Sequence, residues 1–243
     1  MPGASIAHWT RPAQPRARLV CLPWAGGGAG PFREWRNLVP PDTELLAVRW
    51  PGRESRLDDP PHADLAAAVS GLADDLHALP DLPTVLFGHC SGGLLAFELA
   101  RELRRRGGEL PGRLVVASCE APGRLTDPRP IGDLRTELAG NGVTDPRILG
   151  DPDLLAVLAP PVLADLALSR SYVYESEPPL PVPVTVVATE EDLVATPARW
   201  MDWQRETTRP LRLAGVRARQ LFPNGAWSEL AGLVSEELPC PRR

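Results

Sequence analysis

Pro83 to Gly93 reads PTVLFGHCSGG and constrains this chain more than any other stretch. Thr84 to Phe87 have the β-branched and aromatic character of a buried strand, and the apolar run Leu94 to Leu103 takes up helical spacing at once. Between them lies Gly88-His89-Cys90-Ser91-Gly92. A chain that passes from strand to helix in so few residues brings backbone against backbone, and glycine is the residue that tolerates this. The middle residue is then held in a strained conformation, its side chain raised at the C-terminal end of the strand. A thiol in that place faces the N-terminal end of a helix, whose dipole favours the thiolate. The pattern predicts Cys90 as a nucleophile.

The chain around it alternates strands and helices. Ala17 to Trp24 (ARLVCLPW) is an apolar strand that empties into Ala25-Gly-Gly-Gly-Ala-Gly, followed by a short helix near Phe32 to Leu38. A glycine-rich loop after a strand can cradle phosphate, but no Lys-Ser/Thr follows, which argues against a nucleotide P-loop. Glu44 to Trp50 is the next strand and ends in Pro51-Gly52-Arg53-Glu54-Ser55-Arg56. Asp64 to Leu79 carries Leu65, Val69, Leu72, Leu76 and Leu79 at helical spacing. Arg113 to Cys119 and Pro183 to Thr189 are further buried strands. A helix with Trp200 and Trp203 follows the second of these, then a strand at Ala218 to Phe222, a turn at Asn224-Gly225-Ala226, and a closing helix from Trp227 to Leu238. Met1 to Arg16 reads as a polar arm anchored by Trp9. Strands alternating with helices predict an α/β fold with a mostly parallel sheet and helices on both faces. The rhythm breaks between about 121 and 181. There Asp133 to Leu138, Asp151 to Leu158 and Pro161 to Tyr174 read as short helices separated by Pro, Gly and Asn, an insertion suited to a helical lid.

Composition narrows the function. The 243 residues suit one domain, 1–243, with that lid as part of it. A net charge of −5 leaves no basic footprint, so nucleic acid is not an expected partner. Cys21, Cys90, Cys119 and Cys240 have neither zinc-site nor disulfide spacing; no metal is expected, and Cys21 and Cys119 read as core thiols. No signal peptide is legible and no apolar run reads as a membrane span, so the protein is expected to be cytoplasmic, off the membrane and monomeric.

With these pieces placed, the chain resembles the type II thioesterases that accompany modular polyketide and nonribosomal peptide synthetases, which are α/β-hydrolases. The resemblance is carried by Leu22-Pro23-Trp24-Ala25-Gly26-Gly27, by Trp50-Pro51-Gly52-Arg53-Glu54-Ser55-Arg56, by the Cys90 turn, and by Glu191-Asp192 with the later Trp203. It implies an acyl or aminoacyl substrate on the phosphopantetheine arm of an acyl or peptidyl carrier protein, with no cofactor of the enzyme's own. It also implies an oxyanion hole from the amides of Ser91 and of Trp24 or Ala25, with Asp192 in the position of the catalytic acid.

Two departures matter. Cys90 stands where the family usually has serine, and Asn224-Gly225-Ala226 stands where it has Gly-His, so Ala226 occupies the histidine's place. His8, His62, His77 and His89 all lie at or before the turn, outside the order nucleophile, acid, histidine. A serine without a base is nearly inert, whereas a thiol is already a few per cent thiolate at pH 7. Cys90 can therefore accept an acyl group unaided. Water needs a general base to discharge it, but a second pantetheine thiol ionises by itself. Thiol-to-thiol transfer is thus favoured over hydrolysis. Three alternatives stay open: an engineered His→Ala change in a cysteine thioesterase, direct action of Asp192 through a water, and a non-catalytic carrier-binding module.

Overall fold

Seven strands form one sheet in the computed structural model, which describes residues 5–140, 146–189, 197–216 and 226–239. They are β1 (Ile6–His8), β2 (Ala17–Leu22), β3 (Thr43–Val48), β4 (Thr84–His89), β5 (Arg113–Ala117), β6 (Val184–Thr189) and β7 (Arg212–Val216). Their spatial order is β1-β3-β2-β4-β5-β6-β7, antiparallel only where β1 meets β3. The helices are α1 (Leu65–His77), α2 (Ser91–Arg105), α3 (Leu134–Gly140), α4 (Pro146–Gly150), α5 (Pro152–Ser171), α6 (Pro197–Trp200) and α7 (Trp227–Glu236). The fold is the expected α/β-hydrolase arrangement, with the Cys90 turn at the end of the central strand.

Alternation along the strands builds two cores. Val20, Leu22, Leu46, Leu86, Val116 and Val186 face α1 and α2. Their neighbours Leu19, Cys21, Leu45, Phe87, Val115 and Val187 face the other way, onto Phe32, Trp35 and α7. Side chains such as Phe87 and Leu86 are fully buried, each contributing about 1.5–3 kcal/mol on transfer from water. Cys21 and Cys119 are buried as expected, while Cys240 lies outside the described residues. Asp64 caps α1 by accepting from the Ala67 amide.

Two sequence expectations need correction, and a third falls outside the described residues. The N-terminal arm contributes an edge strand, with Ile6 opposite Val48, because Ile6 and Ala7 are buried on the sheet. The last described strand is β7, at Arg212–Val216, where alternation is masked by a largely exposed edge; the strand expected at Ala218 to Phe222 lies outside the described residues. Pro160 and Pro161 do not separate two helices but sit inside the 20-residue α5. The carbonyls they deprive of partners, at Ala156 and Val157, are on the exposed face, where water can satisfy them. Leu155, Val162 and Leu166 meanwhile hold the helix onto the lid core with Leu138 and Ala25. By length and composition α5 is, among the described residues, the one helix apolar enough to cross a membrane, which the sequence reading missed by dividing it. Its Asp165 is ion-paired to Arg53 of the body.

Candidate active site

Gly88 and Gly92 make the turn possible. A β-carbon on Gly88 would lie 2.2 Å from the Gly92 carbonyl oxygen, and one on Gly92 would lie 2.2 Å from that of Leu22. Strand and helix thus meet at backbone contact. Cys90 sits between them at φ 52°, ψ −120°, a conformation side chains rarely adopt. Its amide donates to the Ala117 carbonyl at 2.8 Å and its carbonyl accepts from Gly93 at 2.9 Å, so pairing with β5 and the first turn of α2 hold the strain in place. The side chain is partly exposed and lines a cavity of about 170 Å³.

Ala25 and Ser91 line the same cavity. Among the described residues no protein acceptor takes either amide, and the Ser91 amide belongs to the unsatisfied first turn of α2. Trp24 turns its ring into the core, edge-on to Trp227 at 5.8 Å. Its carbonyl accepts from the Gly27 amide at 2.8 Å, closing the glycine-rich loop.

The Pro51 to Arg56 segment explains how that loop is held. Arg53 is buried and makes a bidentate pair with Asp165 of α5, at 2.6 and 2.8 Å. Its Nη1 also donates to the Gly27 carbonyl at 2.7 Å, and the Gly26 amide donates to Asp165 at 2.7 Å. Glu54, at φ 51°, accepts from the Gly30 amide at 2.8 Å. One clasp therefore joins lid, loop and body. Burial pushes the Asp165 carboxyl up despite the hydrogen bonds from Arg53 and Gly26, so desolvation of the pair is not fully offset. The sequence marked Arg53 as part of a motif but gave no sign of Asp165, which lies 112 positions away.

The histidines are placed apart in role. His77 is exposed, and His62 is half-buried, edge-on to Trp50 at 5.9 Å. His8 lies in β1, 3.6 Å from Glu44. His89 is fully buried, its ring 5.4 Å from that of Trp24 and 6.2 Å from that of Trp227. Burial lowers its pKa to about 3, so it is neutral at pH 7 and a weak general base. An unfolded chain binds this proton below pH 6.5 and the native one does not until about pH 3. Stability present above 6.5 is therefore lost as pH falls through that window, by about 1.4 kcal/mol per pH unit. Urea titrations at pH 7.5 and 5 should show this loss, and His89→Phe should reduce it; an unchanged pH dependence in that variant rejects the assignment.

Ala226 stands at the N-cap position of α7, without a capping side chain, and packs, like Cys90, against the core that contains Trp24 and Trp227. Asp192 lies outside the described residues. Trp203 is fully buried and donates to the Cys119 carbonyl at 3.0 Å, fixing the chain as it leaves β5. The cavity wall also includes Ser118, Cys119, Glu120, Arg129 and Arg170, none of which the sequence reading assigned to the site. Ser118 and Cys119 follow a strand end, which was the available signal. Burial pushes the Cys119 thiol well up, keeping it protonated. Of the lid leucines, Leu166 lines the cavity, Leu168 belongs to the main core, and Leu154 and Leu163 are exposed. Among the described residues no group of three His, Cys, Asp or Glu side chains could hold a metal.

Comparison with known proteins gives consistent matches. The thioesterase domain family model matches residues 17–235. The AMB antimetabolite synthetase AmbE of Pseudomonas aeruginosa is 39% identical over 203 residues, 81% of this chain, which spans only 10% of that protein. The gramicidin S biosynthesis protein GrsT of Aneurinibacillus migulanus is 32% identical, over 80% of this chain and 78% of its own length. The thioesterase RedJ, from the prodiginine biosynthetic pathway in Streptomyces coelicolor, is 33% identical. It superposes with a TM-score of 0.82 over 95% of both chains.

Proposed function

This chain belongs to the thioesterase domain family, and from that premise we propose that it acts on acyl thioesters of phosphopantetheinyl carrier proteins through an acyl-Cys90 intermediate. The observation that carries the reading is Cys90 itself: a strained thiol at the sheet's central turn, partly exposed in a cavity that Ala25 and Ser91 also line. The Cys90 thiolate attacks the thioester carbonyl, a carbon–sulfur bond forms, and the negative charge on the carbonyl oxygen falls within reach of amide donors of the kind worth about 10²–10³ in rate each. Collapse expels the carrier's pantetheine thiolate and leaves the acyl group on Cys90. The pathway context of GrsT and RedJ supports a carrier-bound substrate.

The second half-reaction goes to another thiol. With alanine at 226 and the His89 imidazole held neutral by burial, hydrolysis lacks an effective base, whereas an incoming pantetheine thiolate needs none. Ser91 and Ala25 are the oxyanion donors, and Asp192 is the residual acid of the triad. The catalytic unit is the single domain with its lid at about 121–181, and it needs no cofactor beyond the carrier's arm.

Intact-protein mass spectrometry after mixing with acyl-loaded carrier should show the mass of the acyl group added to the wild type and not to Cys90→Ala. Equal mass gain in the variant, or none in the wild type while carrier still binds, would instead describe a carrier-binding module.

A further inference from the structure

The lid side of the cavity carries charge that an apolar acyl chain does not use. Arg129 lines the cavity, and its Nε is buried with no hydrogen-bond partner. Its backbone amide donates to the Arg170 carbonyl at 2.8 Å and its Nη2 to the Ser169 carbonyl at 3.2 Å, so the segment is pinned to the end of α5. Among the described residues no carboxylate forms an ion pair with Arg129. Glu120, the one acidic side chain among the described residues of the cavity wall, is paired with Arg199 at 3.3 Å. A guanidinium is always charged, and a buried donor without an acceptor is costly. Arg129 also feels the charges of Arg170 and Glu120, and that of Cys90 when it is a thiolate.

Resting on the acyl-Cys90 reading, we propose that Arg129 selects a short acyl group carrying a carboxylate, the half-thioester of a small dicarboxylic acid. Size supports this: about 170 Å³ is comparable to a cavity that holds benzene, roughly six heavy atoms. A three-carbon dicarboxylic half-acyl group has six. The pantetheine phosphate is not the anion, because the whole arm separates it from the sulfur and is longer than this cavity is across. An aminoacyl group brings an ammonium toward the guanidinium and is disfavoured. The carboxylate is a bystander to the chemistry: Cys90 still forms one carbon–sulfur bond as the carrier's breaks, and the carrier leaves as thiolate.

The test measures initial acylation rates of Cys90 by intact mass, with carrier protein loaded with malonyl, propionyl or glycyl groups. The wild type should prefer malonyl over propionyl by about 10- to 100-fold, the scale of one charge-assisted hydrogen bond, and glycyl should be slowest. Arg129→Met should bring the malonyl-to-propionyl ratio near one, and Arg129→Lys should restore part of it. Using a ratio separates charge selection from any general loss of fold. Equal or reversed preference in the wild type, or an Arg129→Met enzyme with an unaltered ratio, overturns the selection while leaving the acyl-enzyme intact. No acylation from any thioester overturns the reading beneath it.

Discussion

Replacing Ala226 with histidine will raise the release of free acid from acyl-Cys90 by about 10²–10⁴-fold, the usual contribution of a positioned general base. Position 226 begins α7 and packs on the same aromatic core as Cys90. A helix N-terminus disfavours a protonated imidazole, so a histidine there stays neutral and basic near pH 7. The assay is chromatographic quantitation of free acid against acyl-enzyme in a single turnover, with a second carrier thiol present or absent. A large rise shows that the remainder of the triad, Asp192 included, still stands in line. Unchanged hydrolysis together with intact transfer to the second thiol means that the site serves a thiol acceptor and that its acid no longer aligns.

Breaking the Arg53–Asp165 clasp will have the largest effect on stability and a separable one on rate. Arg53→Met leaves the Asp165 carboxylate in the lid interface with, among the described residues, the Gly26 amide as its remaining hydrogen-bond donor. Removing one member of a buried pair costs about 3–5 kcal/mol. At about 2–4 °C per kcal/mol for a domain of this size, the midpoint of thermal unfolding should fall by roughly 10 °C. Because the burial of Asp165 is not fully offset, the double variant Arg53→Met, Asp165→Leu should regain most of that loss. Its acylation rate should nevertheless stay low, since Gly26 and Gly27 have lost the groups that hold the oxyanion loop. A double variant that recovers stability and rate together would show that the clasp is structural only. Calorimetry and single-turnover acylation, run on the same preparations, make the distinction.

The clasp joins residues that local sequence does not connect. The Pro51 to Arg56 segment was recognisable as a motif, but its task was not, because the carboxylate that Arg53 holds comes from a helix far along the chain. Arg129 was likewise one arginine among many in an insertion; only its approach to the cavity, beside the end of α5, distinguishes it. The unbroken α5 was missed because a proline pair is read by its local cost, and that cost depends on whether the freed carbonyls meet water or protein.

By itself the sequence determined the alternating α/β plan, the parallel sheet and the strand-turn-helix around Cys90. Those features rest on side-chain periodicity and on glycines required by contacts between neighbours in the chain. Only the tertiary structure decided what surrounds the thiol. That Ala25 and Ser91 share a cavity with the thiol, that His89 is kept neutral among aromatic rings, and that Arg53 and Asp165 tie lid to loop all depend on long-range burial and electrostatics. Local pattern carries no record of such contacts, because each is made by residues that become neighbours only after the sheet has brought their strands and helices together.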